Sequence, residues 1–184
     1  MNSTELKSFE NNNYNAKAGF LKKFIWYYFN IIFLKSSGLL IYKLRISILS
    51  LFGAKLGTGI VLKPSISIKY PWLLSIGDHS WIGENVWIDN LVQVTIGNNV
   101  CISQGALLLT GNHNYKKSSF DLITGEIVLE DGVWIGAKAI VCPGVKCGSH
   151  SILTVGSVAT KDLEPYGIYQ GNPAVLIRKR AILE

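Results

Sequence analysis

A repeat with a period of six residues governs the sequence from residue 56 onward. A period of six matches neither the α-helix, with a period of roughly 3.6, nor the two-residue alternation of a lone strand. It fits a solenoid of triangular cross-section, in which each hexad forms one short strand and one corner. Small or β-branched residues four places after most lead positions fit tight corners. The lead positions are Leu56, Leu62, Ile68, Ile76, Ile82, Ile88, Ile96, Ile102, Leu108, Leu129, Ile135, Val141, Cys147, Leu153 and Ala159.

The composition predicts that part of the protein surface is buried in an interface. Charged residues make up 16% of the 184 residues, against roughly 25% in average soluble proteins. The mean hydropathy is +0.28. These values exclude a disordered or acidic solvating protein. They indicate that the chain buries surface against other subunits or against a membrane.

The net charge of +6 lies entirely in residues 1–55, which hold eight basic and two acidic residues (8 − 2 = +6). Residues 56–184 hold ten of each sign. This distribution argues against a uniformly basic nucleic-acid-binding surface, and we expect no nucleic acid partner. Attraction of the N-terminal end to an anionic surface stays open.

Two apolar segments, 24–34 and 39–53, precede the repeat. The first has eleven residues, fewer than the roughly 20 that a membrane-spanning helix needs. The second contains Lys43 and Arg45. Three alternatives fit these segments: two helices packed on the main domain, an amphipathic anchor lying on a membrane, or a hairpin of two short membrane spans. Residues 1–19 are too polar to begin a signal peptide.

The three cysteines are predicted to be free thiols. Cys101, Cys142 and Cys147 are odd in number and form no CxxC pair. This pattern argues against a disulfide framework and against a zinc site, and it is typical of a reducing compartment.

The repeat is interrupted once, by the stretch LTGNHNYKKSSFDLITGE at 109–126. A solenoid accommodates such an insertion as a loop that leaves a corner. The loop contains His113, flanked by Asn112 and Asn114. Acyl transfer to a hydroxyl needs a base, and an imidazole suits that role near neutral pH. No residue has the setting of an activated nucleophile, so direct attack on the acyl donor is predicted. The alternative is a loop histidine without a role.

Over about residues 56–176 the sequence resembles the hexapeptide-repeat acyltransferases, and in particular the colanic-acid type of exopolysaccharide O-acetyltransferases. The resemblance implies a mainly β fold, a left-handed parallel β-helix of hexapeptide repeats with an N-terminal helical segment and one protruding loop. We divide the chain into a polar tail and apolar, basic helical segment (1–55), the β-helix (56–163, with the catalytic loop at 109–126) and a C-terminal tail (164–184). The matching strings are IKYPWLLSIGDHSWIGENVWIDN, VTIGNNVCISQGALLLTGNHNY, FDLITGEIVLEDGVWIGAKAIVCPGV and VGSVATKDLEPYGIYQGNPA.

The resemblance implies an enzyme that moves an acetyl group from acetyl-CoA to a sugar hydroxyl during exopolysaccharide or other surface glycan biosynthesis. His113, in the TGNH string, is then the general base. No metal is expected. The γ-class carbonic anhydrases share the solenoid but bind zinc through three histidines, whereas His79 and His150 fall at outward corners without a nearby partner.

The resemblance also places acetyl-CoA in a groove between two neighbouring solenoids. Trp134 matches a tryptophan beside the pantetheine arm, with burial at a subunit contact as its alternative. The small Gly136 and Ala137 let the thioester approach the backbone, and an N–H group there would bind the oxyanion. Two small residues one coil along and three basic residues complete the predicted acetyl-CoA site. The basic residues would bind the CoA phosphates, with solvated surface charge as the alternative. The five residues are Gly156, Ser157, Lys161, Arg178 and Arg180.

For the sugar acceptor, the resemblance implies Asn90 of the WIDN string, with Asp89 as a weaker candidate. The alternative for both is turn chemistry, because short polar side chains are common at corners. Tyr115 is a third candidate, since its ring would stack on a sugar face. Trp81 and Trp87 have the same potential, and packing or a subunit interface explains them almost as well.

The outward-facing tryptophans and the resemblance together predict a homotrimer whose active site is shared by two chains. We expect a cytoplasmic protein that is either free in the cytoplasm or attached to the inner face of the cytoplasmic membrane. The attachment would be made through residues 20–55, near a lipid-linked acceptor. Two alternatives remain. One is an N-acetyltransferase of an amino sugar or a xenobiotic. The other is a non-catalytic β-helix scaffold, which would not need the GNHN loop or the small residues of WIGAKA.

Overall fold

The computed structural model describes residues 3–11, 14–36 and 42–183, and these are mainly β. Parallel strands stack into the three faces of a prism, so the predicted solenoid is confirmed. Face A consists of β1 (Lys55–Leu56), β4 (Leu74–Ile76), β7 (Val94–Ile96), β12 (Ile127–Leu129) and β15 (Lys146–Cys147). Face B consists of β2 (Val61–Leu62), β5 (Trp81–Ile82), β8 (Cys101–Ile102), β13 (Trp134–Ile135), β16 (Ile152–Leu153), β18 (Gly167–Gly171) and β19 (Ala174–Lys179). Face C consists of β3 (Ser67–Ile68), β6 (Trp87–Asp89), β9 (Leu107–Leu109), β14 (Ile140–Val141) and β17 (Val158–Ala159).

The core is a stack of the hexad lead residues. On face B, Ile82, Ile102, Ile135 and Leu153 follow one another in register, and none is more than 1% exposed. Most of the small or β-branched residues four places after a lead position are buried at the corners, as predicted, whereas Val92 is half-buried. Those at 0% exposure include Ser80, Val86, Ala106, Val133 and Ala139.

The corners of successive coils stack into three edges, which we name after the faces they join. The AB edge includes 77–80, 97–100, 130–133 and 148–151. The BC edge includes 83–86, 103–106, 136–139 and 154–157. The CA edge includes 69–73, 90–93, 110–126 and 142–145.

Two helices close the base of the prism, below the first coil. They are α1 (Phe20–Phe29), which continues as a π-helical turn (Asn30–Leu34), and α2 (Tyr42–Leu51). Trp26 donates its indole N–H to the carbonyl of Ile68 at 3.0 Å, and the Asn30 side chain accepts the Ile68 N–H at 3.3 Å. These bonds satisfy the free edge of β3, which would otherwise be open to pairing with another chain.

Two short 3₁₀ turns, Leu6–Ser8 and Pro71–Leu73, complete the helical elements of the described residues. Residues 164–184, which the sequence analysis treats as a tail, contain an ordered hairpin. Its first strand, β18, pairs parallel with β16, and β19 returns antiparallel to β18. The hairpin covers the last coil of face B.

Candidate active site

The loop at 110–126 leaves the CA edge as an antiparallel ribbon. Its strands, β10 (Gly111–His113) and β11 (Leu122–Thr124), pair so that His113 lies opposite Leu122. At the base of the ribbon, the buried Thr110 hydroxyl donates to the carbonyl of Asp89 at 2.9 Å and accepts the Leu91 N–H at 2.8 Å. The loop is therefore fixed to the corner of the preceding coil.

The His113 ring is held in one tautomer by the loop. Its Nδ1 atom lies 2.8 Å from the carbonyl oxygen of Phe120. A carbonyl only accepts, so Nδ1 carries the proton and Nε2 has the lone pair in the neutral imidazole. Among the described residues Nε2 has no hydrogen-bond partner. The Phe120 ring stacks on the imidazole with centroids 4.5 Å apart and planes at 7°. This is the arrangement that a general base requires.

The N-terminal segment packs on this loop, a contact that was not predicted from the sequence. The Glu5 N–H donates to the carbonyl of Ser118 at 2.8 Å, and the Phe9 ring lies 5.8 Å from the His113 ring. The Tyr14 hydroxyl donates to the carbonyl of Leu91 at 3.0 Å. Burial and the neighbouring Tyr70 raise the pKa of Tyr14 above its ordinary value, so it remains a hydrogen-bond donor.

A groove of about 400 Å³ lies on a different part of the molecule, along face B and the BC edge. The Trp134 indole, 45% exposed, donates to the Ser103 hydroxyl at 2.9 Å and forms one wall. A Cβ at Gly136 would lie 2.6 Å from the backbone nitrogen of Val155, so only glycine lets these two coils stack so closely. The lining residues are Ser103, Gln104, Trp134, Gly136, Ala137, Ile152, Leu153, Thr154 and Val155.

The backbone N–H groups of this groove differ in whether they are available to a ligand. The Gly136 N–H donates to the carbonyl of Leu153 at 2.7 Å and is part of the ladder. No backbone acceptor within the described ranges takes the Ala137 N–H, which makes it the candidate oxyanion donor of the predicted pair.

The next coil supports the groove. Gly156 has a φ of +66° and donates its N–H to the carbonyl of Ala137 at 2.9 Å. The buried Ser157 hydroxyl lies 2.9 Å from the Thr154 hydroxyl and accepts the Gly171 N–H at 3.0 Å. Both residues therefore shape the corner, and neither lines the groove.

The three basic candidates do not line the groove of their own chain. Lys161 and Arg178 are exposed. The Arg180 guanidinium donates to the carbonyls of Gly132 at 3.1 Å and His150 at 3.2 Å, which ties it to the AB edge.

Among the predicted acceptor residues, Asn90 makes structural hydrogen bonds inside the fold. It is 0% exposed. Its side-chain oxygen accepts the Tyr70 N–H at 3.0 Å, and its side-chain nitrogen donates to the carbonyls of Tyr70 at 2.6 Å and Leu73 at 3.0 Å. These bonds explain Asn90 through the structure of the CA edge, which is the alternative that the sequence left open, and we leave it out of the acceptor site proposed below.

The remaining acceptor candidates are better placed. Tyr115 is 77% exposed and lies in the loop, where its N–H donates to the carbonyl of His113 at 3.0 Å. The Asp89 carbonyl binds the foot of the loop through Thr110, and its carboxylate lies 2.9 Å from the Lys69 ammonium. Trp87 is 49% exposed on face C, below the loop.

The other histidines lie on the AB edge, and the cysteines include one, Cys101, that pairs with Trp134 across face B. His79 and His150 adopt positive φ at corners of the AB edge, and His150 stacks on Tyr166 with centroids 4.9 Å apart. In the described part of the chain, no three His, Cys, Asp or Glu residues come together as a metal site. Burial raises the pKa of the Cys147 thiol to about 12. This thiol is therefore protonated and unreactive at neutral pH.

His113 and the groove occupy different edges of the prism, with face C between them. One chain alone does not bring the base and the groove together.

Comparison with known proteins agrees with this architecture. A putative colanic acid biosynthesis acetyltransferase, WcaF, of Escherichia coli K12 is 35% identical over 164 residues, which cover 89% of this chain and 90% of that protein. Galactoside O-acetyltransferase of the same organism is 30% identical over 138 residues, 73% of this chain and 68% of that protein.

A solved structure gives the same result. The hexapeptide-repeat acetyltransferase of Vibrio cholerae in complex with acetyl coenzyme A superposes with a TM-score of 0.72 and 27% identity, over 78% of this chain and 80% of that one. No family model matches the chain. The sequence and structural relatives nonetheless agree, and the chain belongs to the hexapeptide-repeat acetyltransferases, as its repeat and loop motif predict.

Proposed function

We propose that this protein transfers the acetyl group of acetyl-CoA to a hydroxyl of a sugar, in the biosynthesis of an exopolysaccharide or another surface glycan. The observation that carries the proposal is the 2.8 Å contact between Nδ1 of His113 and the carbonyl of Phe120, which leaves Nε2 as a base. The relative named for colanic acid biosynthesis supports the glycan as acceptor. Because acetyl-CoA is a cytoplasmic metabolite, we expect the reaction to take place in the cytoplasm.

In the proposed reaction, Nε2 of His113 takes the proton of the sugar hydroxyl as its oxygen attacks the acetyl carbonyl carbon. The new C–O bond gives a tetrahedral intermediate whose oxyanion accepts the Ala137 N–H. The C–S bond then breaks, the carbonyl re-forms, and the leaving thiolate receives the proton from His113. No covalent enzyme intermediate is required.

The groove beside Trp134 is the proposed site of the acetyl-CoA arm. Its lining combines the Trp134 ring, aliphatic side chains and an Ala137 N–H that no described residue accepts, which suits a pantetheine chain ending in a thioester. The exposed Lys161 and Arg178 are the proposed partners of the CoA phosphates. They would reach phosphates of acetyl-CoA bound in a neighbouring chain's groove, or those of an extended CoA nucleotide bound in their own. Arg180 has a weaker claim, because its guanidinium already binds two carbonyls.

A homotrimer would complete this site. In a closed ring of three chains, the CA edge of one chain meets the BC edge of the next, so that a loop bearing His113 reaches a neighbour's groove. The exposed Trp81, Trp87 and Trp134 supply apolar surface for such contacts. The acceptor would then lie against Tyr115, Asp89 and the loop.

Product analysis tests the proposal. The full chain is incubated with acetyl-CoA and a panel of oligosaccharides and amino sugars, and products are examined by mass spectrometry before and after mild alkali. An alkali-labile acetyl ester on a sugar is the expected product. An alkali-stable amide would assign the protein to N-acetylation, and the absence of transfer together with no heat on acetyl-CoA titration would favour the scaffold.

A further inference from the structure

The base of the prism presents an apolar surface that the acetyl-transfer chemistry does not use. We call the exposed apolar side chains of residues 20–32 the base surface. Its most exposed members are Phe20, Leu21, Phe24, Tyr27, Tyr28 and Ile32, which range from 48% to 78% exposure. Single apolar residues scattered on a surface need no explanation, but a contiguous patch of this kind marks an interaction site.

The arrangement of the helix makes the patch continuous. Trp26, Asn30 and Leu34, four residues apart, are buried against the first coil. On another side of the helix, the rings of Phe20, Phe24 and Tyr28 follow one another with centroids 5.9 and 5.1 Å apart. The helix therefore packs against the first coil through a narrow stripe of residues, and a row of aromatic rings on another side is exposed.

The charge around the base surface is predominantly positive. Residues 11–77 contain nine Lys and Arg and no Asp or Glu. Lys22, Lys23 and Lys35 flank the patch, and the Lys22 ammonium lies 4.7 Å from the centroid of the Trp72 ring. Between the helix and face C lies a cleft of about 490 Å³, whose lining includes Lys23, Lys35, Lys69 and Asp89. Asp89 pairs with Lys69 at 2.9 Å, so the cleft carries a net positive charge.

We propose that the base surface binds an anionic phospholipid bilayer, with α1 lying in the plane of the interface. Aromatic side chains such as Tyr27 and Tyr28 favour the boundary between acyl chains and headgroups. Lysines beside them gain from the negative surface potential. Lys23 and Lys35 line the cleft without an ion pair to any described residue, which suits a lipid phosphate. None of the described helices has the length and apolarity that crossing a bilayer requires.

A second copy of the chain is a poorer occupant of this surface. Self-association through the base would bring lysines of one copy against lysines of the other. Residues 11–77 offer no carboxylate to pair with them, and Asp89 in the cleft is already paired with Lys69. A bilayer carrying negative headgroups satisfies the same lysines while it covers the aromatic row.

Vesicle flotation of the full chain tests the proposal. The wild type should float with mixed phosphatidylcholine–phosphatidylglycerol vesicles, less so at high salt, and remain behind with pure phosphatidylcholine. Phe24→Glu with Tyr28→Glu should abolish flotation. The matched double change Ile182→Glu with Leu183→Glu, at exposed apolar residues of the C-terminal end, should leave it intact. Lys23→Ser with Lys35→Ser should weaken binding about 30-fold at low salt.

Three results would overturn the proposal. The first is equal flotation with neutral and anionic vesicles. The second is flotation of the Phe24→Glu, Tyr28→Glu variant at the wild-type level. The third is a wild type that floats with neither vesicle while that variant has a different molar mass in solution, which would make the base surface a contact between copies. Acetyl transfer to a water-soluble acceptor should be unchanged in the Phe24→Glu, Tyr28→Glu variant, so failure here leaves the proposed reaction standing.

Discussion

The BC edge and the CA edge of the prism carry different halves of the proposed site, and they are built in different ways. On the BC edge, each coil turns within a few residues, and the groove results from corners stacked in register. On the CA edge, one corner opens into the loop at 110–126, whose geometry depends on partners from elsewhere in the chain.

The difference shows how a repeat fold acquires chemistry. The groove follows from the repeat itself, because a close approach at Gly136 and a free N–H at Ala137 are consequences of corner geometry. The base does not follow from the repeat. His113 is oriented by the Phe120 carbonyl within the loop and is covered by Phe9 from the N-terminal segment. A regular scaffold supplies the proposed donor site, and an irregular excursion supplies the proposed base.

The largest expected effect is on the CA edge. His113→Ala removes the proposed base and should lower kcat on the order of a thousandfold. The melting temperature and the affinity for acetyl-CoA should be retained, because the groove lies on another edge. Release of CoA in the presence of a sugar acceptor measures the first quantity, and calorimetric titration measures the second. An active variant would remove His113 from the mechanism.

On the BC edge, Val155→Trp fills the groove from an exposed position. Val155 is 72% exposed, so the larger side chain need not disturb the core. We expect acetyl-CoA to bind at least about tenfold more weakly, since the indole competes for the same volume. Leu51→Trp, at a residue 78% exposed outside the groove, is the matched control. Equal affinities for both variants would show that acetyl-CoA binds elsewhere.

Within the loop, Phe120→Ala separates positioning from chemistry. The change keeps the carbonyl that binds Nδ1 but removes the ring stacked on the imidazole. We expect kcat to fall about tenfold with the KM for acetyl-CoA unchanged, because the base is less well oriented. Phe120→Tyr should restore most of the activity. A loss confined to KM for acetyl-CoA would contradict this role.

Asn90 should affect stability more than turnover. Asn90→Ala leaves the N–H of Tyr70 and the carbonyls of Tyr70 and Leu73 without their partners in a buried corner. The free energy of unfolding should fall by about 3 kcal/mol. Chemical denaturation measures this value. A higher KM for the sugar with unaltered stability would instead support the acceptor role that the sequence suggested.

The two edges also differ in how far the sequence predicts them. The apolar lead residues define the six-residue period, and the period predicts the hexads and the boundaries of the loop. The loop is identified as a polar interruption that contains one histidine. The sequence did not reveal that Asn90 is consumed by three internal bonds, because a corner carboxamide has the same pattern in either role. Phe9 and Phe120 were missed as partners of His113, since their contacts depend on the fold of an aperiodic loop. The aromatic pattern of the loop was a weak signal for Phe120 alone.

The central claim is that His113 of one chain serves the groove of another. It is tested most directly by co-refolding His113→Ala chains with Val155→Trp chains at equal concentration, with acetyl-CoA well below saturation. In a ring of three with random mixing, about one quarter of the sites would combine an intact base with an intact groove. The account predicts recovery of activity toward that fraction, above the sum of the two separate variants. Activity no higher than that sum, in mixtures shown to contain both chains in one assembly, would contradict it.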